Sequence, residues 1–351
     1  MRIPLLPEKG NFYKVNMHCH TTISDGKCTP EQVKEQYLAQ GYSAVCYTDH
    51  EVLVGHEDLC DEHFIALHGY EVAIKQDMSK KTGAFMPVYH FNVIAERQDQ
   101  RLMPRFFRDN PSCAGAARHY IDTVGVFSED DLIFETRYDV AWLNDYLGAI
   151  RRAGYLVNYN HPQWSLNDKD DYSMLTELDS IELINGSCPH LGDNTPLVYE
   201  ALLRLGRRFL PTGGDDNHSR SQCGFGWTML CAPELTYDAL IAAYKAGDLY
   251  VSEGPSILAL YYEDGEICVR TTPAVSIVLR GEGRYSVVRK SRTEQFTEVR
   301  LPYDPQRLGA YLRIEVRDPE GYKAYSRAYF TDDPALREAH EAWLSAQNKD
   351  K

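Results

Sequence analysis

The feature that most restricts this chain is where its histidines and carboxylates fall along a series of short β-type runs. Seven such runs occur before about residue 215, at 12–17, 43–47, 64–71, 88–95, 155–159, 180–185 and 208–212, most of them separated by helical stretches. Alternation of this kind predicts a β/α architecture around a largely parallel sheet. The first run ends in His18-Cys19-His20 with Asp25 just beyond, the second in Thr48-Asp49-His50 and the third in Glu71. The fifth ends in Asn160-His161-Pro162, the sixth contains Glu182, and the seventh ends in Gly213-Gly214-Asp215-Asp216-Asn217-His218. In a parallel β/α barrel the C-terminal ends of all strands open on one face. Residues far apart in sequence are therefore expected to converge on one cavity.

Helices are expected over 30–40, 138–152, 196–205 and 237–246. The first carries the clearest signals, with Thr29 at the N-cap, Pro30 at the first helical position and Gly41 where the chain turns out. The stretch 99–129, with Pro104, Asn110, Pro111 and Gly115, lacks periodicity and reads as an insertion or lid. After residue 250 the pattern changes to alternating strands, at 256–262, 266–271, 274–279, 311–317 and 324–330, with turn signals at Glu263-Asp264-Gly265 and Asp318-Pro319-Glu320-Gly321. The expected organisation is a catalytic unit over 1–254, a small all-β sandwich over 255–332 and a charged, partly helical tail over 333–351.

Two histidines at i and i+2 of a strand end can point into one mouth, and imidazole mixed with carboxylate suits Zn, Mn or Fe rather than the all-oxygen sites of Ca or Mg. The candidate ligands are His18, His20, Asp25, His50, Glu71, His90, His161, Asp216 and His218. A catalytic zinc takes about three protein ligands plus water, so this set exceeds the needs of one ion and predicts two or three divalent ions. Ions roughly 3.5 to 4 Å apart can share a hydroxide nucleophile and clamp the oxygens of a phosphoryl group. Glu71, Asp216 and His218 are read as catalytic as well as ligating, and Arg220, the nearest cation in sequence, as a bidentate partner for phosphate oxygens. By spacing alone His90 is the odd member, because it begins its run instead of ending it. Glu182 is either a partner of a ligand or a core hydrogen-bonding group, and Asp49 and Asp215 either orient imidazoles or cap turns. His56, His63, His68, His119, His190 and His340 lie away from the strand ends and read as packing or surface residues.

Charge limits the ligands such a site can accept. The chain carries a net −14, and 22 Lys+Arg against 35 Asp+Glu before residue 251 place nearly all of it in the first unit. A surface this acidic disfavours non-specific nucleic-acid binding, and bound cations would offset the field for an anionic substrate. The 9 cysteines are odd in number and form no CxxC pairs, which reads as reduced thiols in a cytoplasmic protein. No window approaches the roughly 20 apolar residues of a membrane span. Gly-x-Ser-x-Gly and phosphate-loop patterns are missing, so a serine hydrolase or a nucleotide cradle is not supported.

Taken together, His18-Cys19-His20-Thr21 with Ser24-Asp25-Gly26, Thr48-Asp49-His50, Gly69-Tyr70-Glu71, Asn160-His161-Pro162 and Asp216-Asn217-His218 resemble the motifs of the PHP (polymerase and histidinol phosphatase) superfamily of metal-dependent phosphoesterases. The resemblance spans about residues 12–255 and implies a distorted seven-stranded β/α barrel. It implies one ion on His18, His20, Glu71 and Asp216, a second on Glu71, His90 and His161, and a third on Asp25, His50 and His218, with Glu71 bridging. It thereby supports His90 where spacing does not. The last motif departs from the usual Gly-Ser-Asp-x-His, and taking the aspartate two before the histidine selects Asp216 over Asp215. The expected function is hydrolysis of a small phosphorylated metabolite by a metal-bridged hydroxide. A 5′-to-3′ exonuclease, a nucleotide phosphodiesterase and a non-catalytic metal-containing module are the other readings.

Overall fold

The computed structural model describes residues 1–76, 86–107 and 116–349. In its first part the strands are β1 (Arg2–Pro4), β2 (Asn11–Asn16), β3 (Ala44–Tyr47), β4 (Ile65–Lys75), β5 (Val88–Ala95), β6 (Leu102–Met103), β7 (Val126–Phe127), β8 (Tyr155–Tyr159), β9 (Ser180–Asn185), β10 (Leu210–Gly214), β11 (Trp227–Ala232) and β12 (Leu249–Ser252). The helices among them are α1 (Pro30–Leu38), α2 (Ala116–Val124), α3 (Val140–Arg152), α4 (Lys169–Tyr172), α5 (Leu197–Arg204) and α6 (Tyr237–Ala246). All seven expected runs are strands. The N-terminus of α1 forms as its sequence predicts: the Thr29 side chain accepts from Gln32 N while the Gln32 side chain accepts from Thr29 N.

The remaining strands are β13 (Ile257–Glu263), β14 (Glu266–Ala274), β15 (Ser276–Gly281), β16 (Ser286–Lys290), β17 (Phe296–Pro302), β18 (Tyr311–Arg317), β19 (Lys323–Ser326) and β20 (Tyr329–Phe330), with helices α7 (Pro305–Leu308) and α8 (Pro334–Lys349). One sheet runs in the order β10-β9-β8-β5-β4-β3-β2-β11-β12-β19-β18-β15-β16, and a second in the order β1-β13-β14-β17. Apolar residues from both, including Leu260, Val269, Ile277, Leu279 and Ile314, form a common core. That core also takes Leu5 and Leu6 from the N-terminus and Leu336 and Ala339 from α8. The N-terminal residues expected in the first unit thus join the second sheet, because β1 pairs with β13. The tail is a helix with one buried face.

One further correction concerns the first part. The sheet is less parallel than expected: β5 is antiparallel to both neighbours, β4 and β8. β10 and β2, the strands that a closed barrel would bring together, are not paired along their length. Their ends are nevertheless joined by Asp216 N→His18 O at 3.0 Å and His20 N→Asn217 O at 3.1 Å. Glycine is required at this seam, where a Cβ on Gly214 would lie 2.7 Å from His18 N. Of the 99–129 stretch, Asn110, Pro111 and the rest of 108–115 lie outside the described residues; Met103, Phe106, Ala117 and Ile121 pack into the main core.

Period-2 alternation sorts the inward face of the strands into layers. At one end Ile65, Leu67, Ile94 and Leu156 pack on Leu240, Ile241 and Tyr244 of α6. Amides and hydroxyls follow: Asn158 Oδ1 accepts from Ser180 Oγ at 2.6 Å and Thr212 Oγ1 at 2.7 Å. Glu71, His90, Asn160 and Glu182 come next along the same faces, at the opposite end from α6. Among the described residues no helix is long and apolar enough to cross a membrane.

The two parts are also tied by charge. Arg313 of β18 has no exposed side-chain surface and pairs with Glu200 of α5, its Nε 3.1 Å from Glu200 Oε1. Removing the carboxylate leaves a buried guanidinium without its main partner, so Glu200→Ala should lower unfolding stability by on the order of 3 kcal/mol. Urea denaturation checks this, and the double variant Glu200→Ala/Arg313→Leu should recover part of the loss; a loss below about 1 kcal/mol in the single variant contradicts the link.

Candidate metal centre

Glu71 is the hub of the mouth. Its carboxylate is buried, with Oε1 lying 3.3 Å from His18 Nε2, 3.1 Å from His90 Nδ1 and 3.3 Å from His161 Nε2. Its Oε2 lies 3.5 Å from His20 Nε2 and 3.1 Å from His50 Nδ1. Asn160 Nδ2 donates to Oε1 at 2.7 Å and to Asn92 Oδ1 at 2.9 Å, while Asn158 Nδ2 donates to Asn160 Oδ1 at 2.7 Å. The amide layer below therefore fixes the orientation of this carboxylate. Burial opposes its charge, but His90 and His18, with hydrogen bonds from His161 and His18, hold its carboxyl well below the usual range.

Asp216 faces the same centre. Its Oδ1 is 3.1 Å from His20 Nε2 and 3.4 Å from His18 Nε2, and its Oδ2 is 3.7 Å from His161 Nε2. Asp216 has φ +50°, a left-handed conformation that costs a non-glycine residue about 1 kcal/mol or more. Asp25, half exposed, approaches His50 Nε2 at 3.7 Å and His218 Nε2 at 3.5 Å. All nine predicted ligand residues are thus brought together. They form four overlapping groups: His20, Asp25, His50 and His218; His18, His161 and Asp216; His18, His20 and Glu71; and Glu71, His90 and His161.

The antiparallel course of β5 explains His90. Because β5 runs against β4, its beginning lies beside the end of β4, with His90 opposite Ala73 in the register. A rule that looks only at C-terminal strand ends misses such a residue. The other histidines are accounted for elsewhere: His68 Nδ1 meets Gln98 O at 3.0 Å, His340 Nδ1 meets Tyr262 OH at 3.2 Å, and none of the six joins a candidate metal group among the described residues.

The structure also separates the ambiguous acids. Glu182 Oε1 accepts from His18 Nδ1 at 3.0 Å and its Oε2 accepts from His161 N at 3.1 Å, so it orients two ligand residues from behind. Asp49 accepts from Thr21 N, Thr21 Oγ1, Ser24 N and Ser24 Oγ, at 2.7 to 3.1 Å, and so holds the loop that carries Asp25. Asp215 turns away, accepting from Tyr37 OH at 2.8 Å and from Gly224 N, Phe225 N and Gly226 N. Burial pushes its carboxyl up to about 6 despite these donors. Arg220 is exposed and makes no ion pair among the described residues. Asn185, whose Nδ2 donates to both Glu182 and Asp216, was not singled out in the sequence, and Asn160 entered only as part of the Asn160-His161-Pro162 motif; an amide at or just past the end of a strand, beside ligand residues, is the signal that marks both.

The donor set fits divalent metal. It consists of imidazole nitrogens and carboxylate oxygens; Nδ1 of His20 is buried without a hydrogen bond although it belongs to a candidate group, while Nδ1 of His50 and of His90 face Glu71 oxygens at 3.1 Å. A buried nitrogen without a hydrogen bond is costly, and coordination is the chemistry that satisfies it. Burial and the charge of His50 lower His20 to about 4, which keeps its imidazole neutral and able to donate a lone pair. For His18, burial is outweighed by Asp216, Glu71 and Glu182, which raise it well above its ordinary value.

Residues 16–178 of the chain match the family model of the PHP domain. Among solved structures the chain is similar to a two-domain protein from Bacteroides vulgatus containing a predicted PHP-like metal-dependent phosphoesterase, at 14% identity and TM-score 0.45, over 93% of this chain and 98% of that one. It is similar to an amidohydrolase from Chromobacterium violaceum at 15% identity and TM-score 0.34, over 58% of this chain and 87% of that one. It is also similar to a lesion-specific endonuclease from Pyrococcus furiosus at 11% identity and TM-score 0.39, over 67% of this chain and 56% of that one. No curated protein matches the chain.

Because Glu182 fixes the His18 ring without reaching the centre itself, Glu182→Gln should leave the fold intact and weaken metal loading roughly 10- to 100-fold. Titration of the metal-free protein against a competing chelator checks this. Unchanged affinity would show that Glu182 is only a core hydrogen-bonding group.

Proposed function

We propose that this PHP-domain chain is a hydrolase of phosphate esters that acts on a small phosphorylated compound with two or three divalent ions at the centre described above. The observation that carries the reading is the placement of Glu71, whose two oxygens face different imidazoles, so that one carboxylate serves adjoining groups. His18, His20, Glu71 and Asp216 would hold one ion, Glu71, His90 and His161 a second, and Asp25, His50 and His218 a third. Such ions, when bound, neutralise phosphoryl oxygens and acidify water, which a chain of net charge −14 needs in order to accept an anion.

The part played by the chain's own residues follows from burial. The side chains of His18, His20 and Glu71 have at most 1% exposure, whereas Asp25, His50 and His218 have 54%, 20% and 33%. The phosphate would therefore enter on the Asp25 side, with its ester group pointing outward. His218 keeps its Nδ1 on the Asp216 carbonyl at 3.0 Å, which turns Nε2 toward Asp25 and this entrance. Arg220, two residues on and in no ion pair among the described residues, would meet a phosphate oxygen bidentately. Asp49 keeps Asp25 in place by holding its loop. None of the nine ligand residues lies after His218, so the β-rich part is not needed to assemble the centre.

A screen of phosphorylated metabolites and phosphodiesters with added Mn, Fe or Zn tests the reading, the expected result being chelator-sensitive release of phosphate from monoesters. Exclusive cleavage of diesters or of nucleic acid would replace the monoesterase with a nuclease, and no turnover with a fully loaded protein would reject the enzyme. A monoester carries about one more negative charge than a diester near neutral pH, its second pKa being near 6 by analogy with phosphoserine. If the exposed group answers that charge, His50→Ala should lower kcat/KM for monoesters more than for any diester also cleaved; equal losses would reject the charge-matching role.

A further inference from the structure

Of the four tryptophans, only Trp164 is exposed, at 43%, and it stands at the metal centre. Its ring centroid lies 5.0 Å from that of His161 and 5.4 Å from that of His90, two ligand residues of the Glu71 group. Trp142, Trp227 and Trp343 are half buried and pack on other parts of the protein. An indole left open to solvent loses the apolar burial that would otherwise favour it, so its place needs a reason.

The backbone that presents the indole is built to hold it. Asp193 is buried, and its carboxylate accepts from Gln163 N at 3.0 Å and from Trp164 N at 2.7 Å. Asp193 O in turn accepts from Asn185 N at 2.6 Å. The turn is bounded by two non-glycine residues of positive φ, His161 at +21° and Leu166 at +57°. A buried carboxylate and strained backbone are both costly and persist where the surroundings fix a functional geometry. Ser165, next in the chain, reaches back to His161 Nδ1 at 3.2 Å, so the same turn sets a ligand imidazole and the indole beside it.

We propose that Trp164 is a stacking platform for the alcohol part of the substrate, and that the substrate class is a phosphoester carrying a planar unsaturated ring, aryl or nucleobase, close to its phosphate. The inference rests on the phosphoesterase reading above and extends it from the phosphoryl group to its substituent. An aromatic ring accepts a planar partner over its face without requiring hydrogen-bond complementarity, so the platform selects for a ring and not for a particular one.

The test is isothermal titration of the full chain, reconstituted with Mn, with phenylphosphonate and methylphosphonate, neither of which is an ester that can be hydrolysed. Wild type should bind the phenyl compound roughly tenfold or more tightly than the methyl one, the scale of a stacked ring. Trp164→Ala should reduce phenylphosphonate to the methylphosphonate affinity, Trp164→Phe should keep most of the difference, and ion content should be the same in all three proteins. Equal binding of the two phosphonates by wild type overturns the platform. Loss of ions in Trp164→Ala overturns it too, because the indole would then be a cover over the imidazoles. Binding of neither phosphonate by a loaded protein overturns the phosphoester reading itself, and the platform with it.

Discussion

The architecture of this protein turns on a buried carboxylate. Glu71 sits near the end of the inward face of β4 with essentially no access to water, and an unpaired charge in such a place costs several kcal/mol. Five imidazoles and the Asn160 amide therefore crowd around it. They come from four stretches of chain, at 18–20, 50, 90 and 160–161, and three of them are held from behind: His18 by Glu182, His161 by Ser165, Asn160 by Asn158. Asn158 reaches back to Ser180 and Thr212 in the layer below. Glu71 is thus joined through Asn160 and Asn158 to the polar layer beneath the centre.

Burial then divides the centre by role. The Glu71 side is buried and hydrogen-bonded from behind, which suits groups that must hold a fixed geometry while charge is redistributed. The Asp25 side is partly solvated and is carried on a loop fastened by one carboxylate, Asp49. Such a gradient gives an anion a way in from the wet side toward the fixed side. Trp164 stands beside His90 and His161, where, in the function proposed, it would meet what is attached to the phosphate and not the phosphate itself.

Much of this was legible in the sequence because it is local. His18-Cys19-His20, Thr48-Asp49-His50 and Asn160-His161 each follow a run of strand-forming residues, and strand direction alone carries their side chains to one end. The less legible features depend on pairing between distant segments. Val88–Ala95 reads like any other strand, and only its antiparallel register moves His90 to the mouth. Arg2–Pro4 carries no sign that it will pair with β13, and Ser286–Lys290 and Phe296–Pro302, with several charged residues each, hide their alternation. Asp215 and Asp216 are chemically alike and adjacent; the left-handed backbone of Asp216 turns one carboxylate inward and the other toward the 224–226 loop. Of the paired glycines before them, unremarkable as a motif, Gly214 lets β10 approach His18 and Gly213 lets it approach the Trp227 backbone.

The proposed function rests on one carboxylate shared between metal groups. Elemental analysis of the purified full chain beside Glu71→Ala, both loaded with excess Mn and freed of unbound ion, tests it most directly. Sharing requires more than one ion per chain in the wild type and a loss of two in the variant, with secondary structure retained by circular dichroism. A wild-type value that saturates at one, or a variant that loses a single ion, would contradict it.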